Sequence, residues 1–551
     1  MLDSLKSYGY SLSYAGLFFG TLFFAASLAP SLLPRDFILQ GLLSGVAFTT
    51  GYGLGSLFAW LWRYLELKEP SERANKFLHP AMVVGASLVA LIFLWRASIW
   101  QNSIRSLMEM EPVASAHPWR VGLIAVICSV LLISFGRVLM WGQKQVAKKL
   151  DQLLPRRVSI IISVFAVSLV VLSLTERVVI RNALRVADTA FAELDERVDE
   201  GISRPSIFSA SGNPESLIDW DSIGRRGKNF IKNGPVQSQL RQFSGREAKQ
   251  PLRVYVGVRT RETLEERARL ALEELKRIKA FERSVLIVAT PTGTGWLDPG
   301  AVDSLEYLHN GDTAIVAIQY SYLPSWMTLL VDPDRSRAAA RALFKEVYGF
   351  WTTLPKDQRP RLYLHGLSLG ALGSEASTQL FLILDDLVHG AVWSGPPFPS
   401  SLWSAAIRSR NPGSPEWLPQ IADGAMIRFT GQRNSLTNPV RKWGPVRVVY
   451  IQYASDPMVF FSPGMLFRKP DWLRGSRGPD VSPYFDWYPV ISFLQVGFDL
   501  PNATSVPRGY GHNYSASSYI DAWIEVTQPP GWSHDDIRRL KNIFAEKRSG
   551  Q

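Results

Sequence analysis

The chain has 551 residues, enough for two or three domains, and a formal net charge of +12 at pH 7. Its one cysteine, Cys128, excludes an intrachain disulfide framework and a cysteine-based metal site. Many of the basic residues lie beside long apolar runs, so the basic charge indicates contact with a membrane surface and no nucleic-acid partner.

Five apolar runs in the first third of the chain approach or exceed the ~20 residues with which a helix crosses a bilayer. They cover residues 12–28, 37–62, 81–100, 121–141 and 158–175. The first run lacks a small-residue cleavage site, and we interpret it as a retained anchor. Residues 1–180 are therefore predicted to form an α-helical transmembrane domain of about five spans, with the lipid bilayer as a partner.

Lys and Arg residues are concentrated in the loops after the second and fourth apolar runs. Lys6 lies on the same basic side, which the positive-inside rule assigns to the cytoplasm together with the N-terminus. Five crossings then put the rest of the chain on the opposite, extracytoplasmic side. A re-entrant run would reverse this sidedness, and Arg177, Arg181 and Arg185 argue mildly against an exit on that side.

Residues 181–250 form the predicted connector, an amphipathic helix followed by an irregular stretch rich in Gly, Pro, Ser and Arg. Over residues 251–551, apolar β-rich runs alternate with amphipathic helical patterns. The runs cover residues 254–258, 285–289, 314–318, 362–365, 391–393, 426–429, 446–452 and 490–496. This alternation predicts a mostly parallel sheet covered by helices on both faces, with functional sites at the carboxyl ends of the strands.

The sequence Gly-Leu-Ser-Leu-Gly occupies residues 366–370, between an apolar run and a helical pattern over residues 371–384. Strand, tight turn, serine and helix are the context in which G-x-S-x-G forms a nucleophile elbow. Ser368 is therefore the candidate nucleophile. The backbone N–H of Leu369, the residue after it, is a candidate donor of an oxyanion hole.

A serine nucleophile needs a base, and in α/β-hydrolases the chain order is serine, acid, histidine. His512 lies in a Gly-rich loop ahead of a helical pattern, which is the position expected for the base. Asp456 lies just past the end of the run at residues 446–452 and is the candidate acid. Asp499, after the run at residues 490–496, is its main rival. The alternatives are a surface-loop role for His512 and a turn-forming role for Asp456 before a proline.

Loops after other strands supply further candidates. Thr292 and Gly293, in the Gly/Thr-rich loop after residues 285–289, are candidate second donors of the oxyanion hole. Aromatic residues at two other strand ends are candidate walls of an apolar substrate pocket, with packing at the rim as the alternative. These residues are Tyr320, Tyr322, Trp326 and Trp393. The sequence predicts no metal site and no cofactor.

These segments resemble the bacterial membrane-anchored α/β-hydrolases known as alpha/beta-hydrolase family 9. The resemblance lies in SLAPSLLPR at residues 27–35, TPTGTGW at 290–296, QYSYLPSW at 319–326, GLSLG at 366–370, SDP at 455–457 and GHNY at 511–514. It implies a multi-helix N-terminal membrane domain, an α/β-hydrolase domain, and a triad of Ser368, Asp456 and His512. Ala29 stands where a hydroxyl residue is expected, and this departure does not touch the triad.

The residues and the resemblance predict a serine hydrolase of the esterase or lipase type in the bacterial inner membrane, with a periplasmic catalytic domain. A lipid or an acylated envelope component is the expected substrate, on the basis of location alone. An acyltransferase would use the same triad to pass the acyl group to an alcohol. A non-catalytic membrane sensor or scaffold is the third hypothesis, and the sequence assigns no oligomeric state.

Overall fold

The computed structural model describes residues 12–69, 71–174, 181–377, 386–437 and 441–546. Packing divides the chain into two compact units. The helical unit consists of Met1–Arg185 and Phe461–Asn502, and the sheet unit consists of Val186–Phe460 and Ala503–Gln551. The domain predicted over residues 251–551 is therefore interrupted, because Phe461–Asn502 packs with the N-terminal helices. Lys6, Arg177 and residues 378–384 of the helix predicted after the elbow lie outside the described residues.

The N-terminal part of the helical unit is a series of apolar helices. They are α1 (Tyr14–Ser27), α2 (Phe37–Tyr64), α3 (Glu72–Leu107), α4 (Pro118–Leu150) and α5 (Arg156–Leu174). Four of them, α2 to α5, are long and apolar enough to cross a membrane, whereas α1 has 14 residues. At 1.5 Å per residue α1 is about 21 Å long, which is less than the ~30 Å of a bilayer's hydrocarbon core. The prediction of about five spans therefore corresponds to four long helices and one short one.

The first helices begin where short polar side chains satisfy the unpaired N–H groups of the first turn. Ser13 Oγ accepts the N–H of Gly16 at the start of α1 over 3.2 Å. Asp36 Oδ1 accepts the N–H groups of Ile38 and Leu39 at the start of α2, over 2.7 and 2.9 Å. The Asp36 cap marks the end of the turn between α1 and α2, which contains most of the segment SLAPSLLPR.

Three connector helices precede the strands, and the sheet unit, which starts at Val186 within the first of them, continues as alternating strands and helices. The connector helices are α6 (Arg181–Glu196), α7 (Arg225–Lys232) and α8 (Gln237–Ser244). The strands are β1 (Leu252–Val256), β2 (Val285–Thr290), β3 (Thr313–Ile318), β4 (Arg361–Leu367), β5 (Gly390–Ser394), β6 (Ile427–Thr430) and β7 (Arg447–Ile451). The helices among and after the strands are α9 (Leu264–Arg277), α10 (Pro299–Leu308), α11 (Ser325–Val331), α12 (Asp334–Thr353), α13 (Leu369–Ser377), α14 (Ser401–Arg408), α15 (Pro457–Phe460), α17 (Ala516–Thr527) and α18 (His534–Glu546).

The described strands form one parallel sheet in the order β1-β3-β2-β4-β5-β7-β6. Strands β2 and β3 are buried along their whole length, which matches the continuous β-branched runs expected of a sheet covered on both faces. One set of helices, α9, α12 and α13, packs together, and a second set is formed by α10, α17 and α18. The carboxyl ends of the parallel strands meet at one edge, where the loops with the predicted site residues begin.

The segment Phe461–Asn502 contains α16 (Ile491–Asp499) and belongs to the helical unit. The strand predicted at residues 490–496 is wrong, because short apolar runs fit a buried helix equally well. The buried residues of α16 include Ile491, Gln495 and Asp499, which share one face at helical spacing. Asp499 therefore ends a helix of the helical unit and does not follow a strand.

A buried ion pair ties α16 to the turn between α1 and α2. The Asp499 carboxylate accepts hydrogen bonds from Ser31 Oγ over 2.6 Å and from Arg35 Nε over 2.9 Å. Both side chains of the Arg35–Asp499 pair are almost completely buried. Removing one partner of such a pair leaves an uncompensated buried charge, so Asp499 has a structural role here.

Candidate active site

Ser368 lies between β4 and α13, and its backbone has a φ of +60°. Such a φ is uncommon for a residue with a side chain and is the strained geometry expected at a nucleophile elbow. The Ser368 N–H donates to the carbonyl of Ser394, at the end of β5, over 2.9 Å. A Cβ atom on Gly370 would clash with the carbonyl oxygen of Thr290 at the end of β2, so this glycine allows α13 to start close to β2.

Asp456 and His512 form a direct pair. Nδ1 of His512 lies 2.7 Å from Oδ2 of Asp456. Because an ionised carboxylate can only accept, Nδ1 carries the hydrogen and Nε2 keeps its lone pair available to a proton donor. The second carboxylate oxygen, Oδ1, accepts the N–H of Met458 in α15 over 2.9 Å. Asp456 is fully buried, so the charge beside the imidazole is shielded from water.

The loops that carry the acid and the base are tied to each other and to the sheet unit. The N–H of Gly511 donates to Ser455 Oγ over 2.9 Å, which links the residues just before His512 and Asp456. The N–H of His512 donates to the carbonyl of Ala503 over 2.8 Å. These bonds hold the His512 loop independently of its contact with the carboxylate.

The residues at the end of β5 contact both the candidate nucleophile and the candidate base. Ser394 accepts the N–H of Ser368, and the next residue, Gly395, has a φ of +53°. A Cβ atom on Gly395 would lie 2.5 Å from Cε1 and 2.8 Å from Nδ1 of His512. The imidazole therefore rests on the Gly395 backbone, one residue beyond the carbonyl that anchors the serine.

Two polar atoms at this edge of the sheet lack hydrogen-bond partners within the described part of the chain. They are Ser368 Oγ and His512 Nε2, and both are buried. Buried polar atoms are normally paired, so an unpaired donor and an unpaired acceptor indicate groups held ready for a substrate. In unliganded enzymes the bond between nucleophile and base often shortens only when substrate binds.

The structure places the three residues that were predicted to donate to an oxyanion hole in different surroundings. Leu369 is the first residue of α13, where backbone N–H groups have no partner inside the helix. The N–H of Thr292 donates to the carbonyl of Trp296 over 3.0 Å, and the N–H of Gly293 donates to Ser325 Oγ over 3.1 Å. Thr292 and Gly293 remain predicted second donors, and either would have to release its present acceptor to bind an oxyanion.

The four aromatic residues predicted to line a pocket differ in their surroundings. Tyr322 and Trp326 are half-buried, and Tyr320 is buried with its hydroxyl donating to the carbonyl of Pro291 over 3.0 Å. Trp393 lies within β5 and is 1% exposed, and its indole N–H donates to Ser374 Oγ over 2.9 Å. Trp393 thus occupies the packing role that the sequence left open as an alternative, and a pocket role for the other three stays a prediction.

Sequence reasoning missed two buried groups near the site. The Tyr514 hydroxyl donates to Oδ2 of Asp456 over 2.7 Å. Glu375, on α13, accepts the Tyr450 hydroxyl over 3.0 Å and the N–H of Leu402 over 3.1 Å, and burial raises its pKa to about 8. Tyr514 stands in the motif GHNY, but nothing in that motif distinguishes an aromatic packing residue from a hydrogen-bond donor.

Two family models match the chain. A model described as "Alpha/beta-hydrolase family" matches residues 252–540, and one described as "Alpha/beta-hydrolase family N-terminus" matches residues 28–235. The comparisons find no match among curated proteins and none among solved structures.

Proposed function

Since the chain belongs to the alpha/beta-hydrolase family, we propose that it is a membrane-anchored serine hydrolase that cleaves a carboxylic ester through an acyl-enzyme. The observation that carries this proposal is the Asp456–His512 pair, whose Nε2 has no partner in the described structure. Ser368 Oγ, at the same edge of the sheet, is likewise buried and without a partner in the described structure. A buried base with an ionic partner and an unpaired serine on a strained elbow is the arrangement that serine hydrolases use.

In the first half of the proposed reaction, Ser368 Oγ attacks the ester carbonyl carbon while Nε2 of His512 takes the hydroxyl proton. The negative charge that develops on the carbonyl oxygen is stabilised by the N–H of Leu369 and by a second backbone donor. Asp456 stabilises the imidazolium and stays ionised. The imidazolium then returns its proton to the departing alcohol as the ester C–O bond breaks, which leaves the acyl group on Ser368.

In the second half, water replaces the alcohol. Nε2 of His512 takes a proton from the water as its oxygen attacks the acyl carbon. The proton passes to Ser368 Oγ when the acyl–serine bond breaks, and a carboxylic acid is released. Both halves use the same base and the same oxyanion donors, so the chain's own residues supply all the groups the proposal requires.

A lipid or an acylated component of the bacterial envelope is the proposed substrate. The support is the N-terminal series of apolar helices, four of which are long enough to cross a membrane. Half-buried aromatic side chains, Tyr322 and Trp326, follow β3 at the edge of the sheet that carries the site. Apolar and aromatic surroundings suit an acyl chain.

The sheet unit is proposed to face the periplasm, with the N-terminus in the cytoplasm of a bacterial inner-membrane protein. This sidedness requires that α1 crosses the membrane together with the four longer helices. A Cβ atom on Gly16 of α1 would lie 2.6 Å from Ser56 Oγ of α2, and Ser27 Oγ lies 2.8 Å from Ser44 Oγ, so α1 packs along α2 over its length. A periplasm-dependent reporter fused after Glu196 should be active, and activity of a cytoplasm-dependent reporter instead would refute the five crossings.

The serine mechanism is tested with a fluorophosphonate probe on membranes that contain the full chain. Wild type should be labelled, and Ser368→Ala should lose the label. Ser400→Ala is the matched control. Ser400 Oγ is also buried and unpartnered in the described structure, but Ser400 is not a member of the predicted triad. It should label like wild type.

Two results would contradict the proposal: no labelling of a folded wild-type chain, or labelling that survives Ser368→Ala. The first would favour a non-catalytic sensor or scaffold. Analysis of products from a p-nitrophenyl ester, with and without an added alcohol, separates release of the free acid from transfer of the acyl group.

A further inference from the structure

We propose that Tyr514 is a positioning residue of the triad, which holds the Asp456 carboxylate in place for His512 through a hydrogen bond from its phenol. This inference rests on the proposed function. It assigns a role to a residue two positions after the base, on the loop that precedes α17.

The contacts around Asp456 carry the inference. Oδ2 of Asp456 accepts two hydrogen bonds of 2.7 Å, one from Nδ1 of His512 and one from the Tyr514 hydroxyl. Oδ1 accepts the N–H of Met458 over 2.9 Å. The carboxylate is thus held from three sides, and the oxygen that faces the imidazole has its second lone pair occupied by the phenol.

Packing leaves the phenol little freedom. Tyr514 is 1% exposed, and its ring stacks on Tyr453 with the centroids 4.6 Å apart and the planes at 25°. A Cβ atom on Gly395 would lie 2.9 Å from Cε2 of Tyr514, so the backbone under His512 also supports this ring. The Tyr453 hydroxyl lies 2.9 Å from Ser518 Oγ of α17, which anchors the stack to the sheet unit.

The phenol remains a donor over the range in which hydrolases work. Burial, and after it the neighbouring Asp456 carboxylate, raises the pKa of Tyr514 well above its ordinary value. The other titratable side chains beside Tyr514 in the described structure are His512, whose ring centroid lies 5.8 Å from that of Tyr514, and the tyrosines Tyr453 and Tyr519. Tyr519 in turn faces Asp298 and Arg508. The hydrogen bond draws negative charge away from the oxygen that faces the imidazole, so it has two effects: it fixes the carboxylate and it moderates the stabilisation of the imidazolium.

The test compares Tyr514→Phe with Tyr453→Phe in the full-length protein, using the pH dependence of p-nitrophenyl ester hydrolysis. Tyr514→Phe keeps the ring and removes the donor. We expect kcat to fall about tenfold, which is the scale of a hydrogen bond to a charged group, with little change in KM. The acid limb of the kcat/KM profile should move to higher pH, by on the order of half a unit, because the bare carboxylate stabilises the imidazolium more.

Tyr453→Phe is the control, since it removes a buried phenol from the same stack but its hydroxyl bonds Ser518 and Ser515 instead of Asp456. Its acid limb should stay at the wild-type pH. An unchanged acid limb in Tyr514→Phe, or an equal shift in both variants, would overturn the positioning role. Failure of the proposed function is a separate result, because wild type itself would then neither hydrolyse the ester nor react with the fluorophosphonate probe.

Discussion

Gly395 shows how closely the backbone approaches the candidate base. It follows β5 with a φ of +53°, and an added Cβ atom would lie 2.5 Å from Cε1 of His512. Nothing flexible separates the two groups, because the nearest atoms belong to the imidazole and to the ring of Tyr514. The position of the base therefore depends on the absence of a side chain at this residue.

We predict that Gly395→Ala lowers kcat/KM about 100-fold, because a displacement of about 1 Å at a catalytic group has an effect of that size. Gly413→Ala is the control. Gly413 has a φ of +85°, and an added Cβ atom there meets nothing within 4 Å, so the substitution carries backbone strain without a clash. It should lose about 1 kcal/mol of stability and keep its activity. Equal activity in the two variants, measured on the same ester, would contradict the prediction.

At the scale of elements, Glu375 joins three parts of the sheet unit. It lies on α13, accepts the Tyr450 hydroxyl from β7, and accepts the N–H groups of Leu402 and Trp403 at the start of α14. Burial raises its pKa from 4.5 to about 8. Between these values the folded state binds a proton that the unfolded state has released, so stability falls as pH rises through this window.

We predict that Glu375→Gln makes the free energy of unfolding less dependent on pH. Removal of the titrating group should reduce the loss of unfolding free energy between pH 6 and pH 8 by up to about 3 kcal/mol. Glu265→Gln, at an exposed position of α9, is the control, and its free energy of unfolding should decrease with pH as in wild type. Thermal unfolding of the detergent-solubilised protein, followed at several pH values, provides the comparison. A wild-type slope in Glu375→Gln would show that Glu375 does not titrate in this range.

The elements that the sequence predicted best are those whose signals are local. The alternation of buried strands with amphipathic helices was visible in the run lengths, and the elbow was visible because strand, glycines and serine are contiguous. The helix α16 was predicted as a strand, because a seven-residue run with five apolar residues fits both periods and its partners lie more than 450 residues away in the chain. Tyr514 was missed for the same reason, since its role depends on a carboxylate that approaches only after folding.

At the scale of the whole molecule, the chain leaves the sheet unit between the candidate acid and the candidate base. The segment Phe461–Asn502 begins five residues after Asp456 and ends ten residues before His512. The two residues that flank this segment, Phe460 and Ala503, are close to the acid–base pair. The N–H of Phe460 donates to the Asp456 carbonyl over 3.1 Å, and the Ala503 carbonyl accepts the His512 N–H over 2.8 Å. A short linker is therefore enough to join Phe460 to Ala503.

We predict that a truncated chain of residues 186–551 aggregates. In this chain Asp499 loses its hydrogen-bond partners Arg35 and Ser31, and apolar residues such as Ile491, which are buried in the helical unit, become exposed to water. A second truncated chain, in which a short Gly/Ser linker replaces residues 461–502, should be monomeric and folded. Size-exclusion chromatography and circular dichroism distinguish the two. Equal solubility of both chains would show that the segment does not depend on the N-terminal helices.

The interrupted sheet unit also sets an order of events during synthesis. The N-terminal helices and the strands from β1 to β7 leave the ribosome before residues 461–502, and His512 emerges after that segment. Domains fold largely as they emerge, yet the base can reach Asp456 only when the chain on both sides of that segment is in place. A nascent chain that ends within residues 461–502 would thus carry the serine and the acid without the histidine, and the proposed activity would begin only after the chain has returned to the sheet unit.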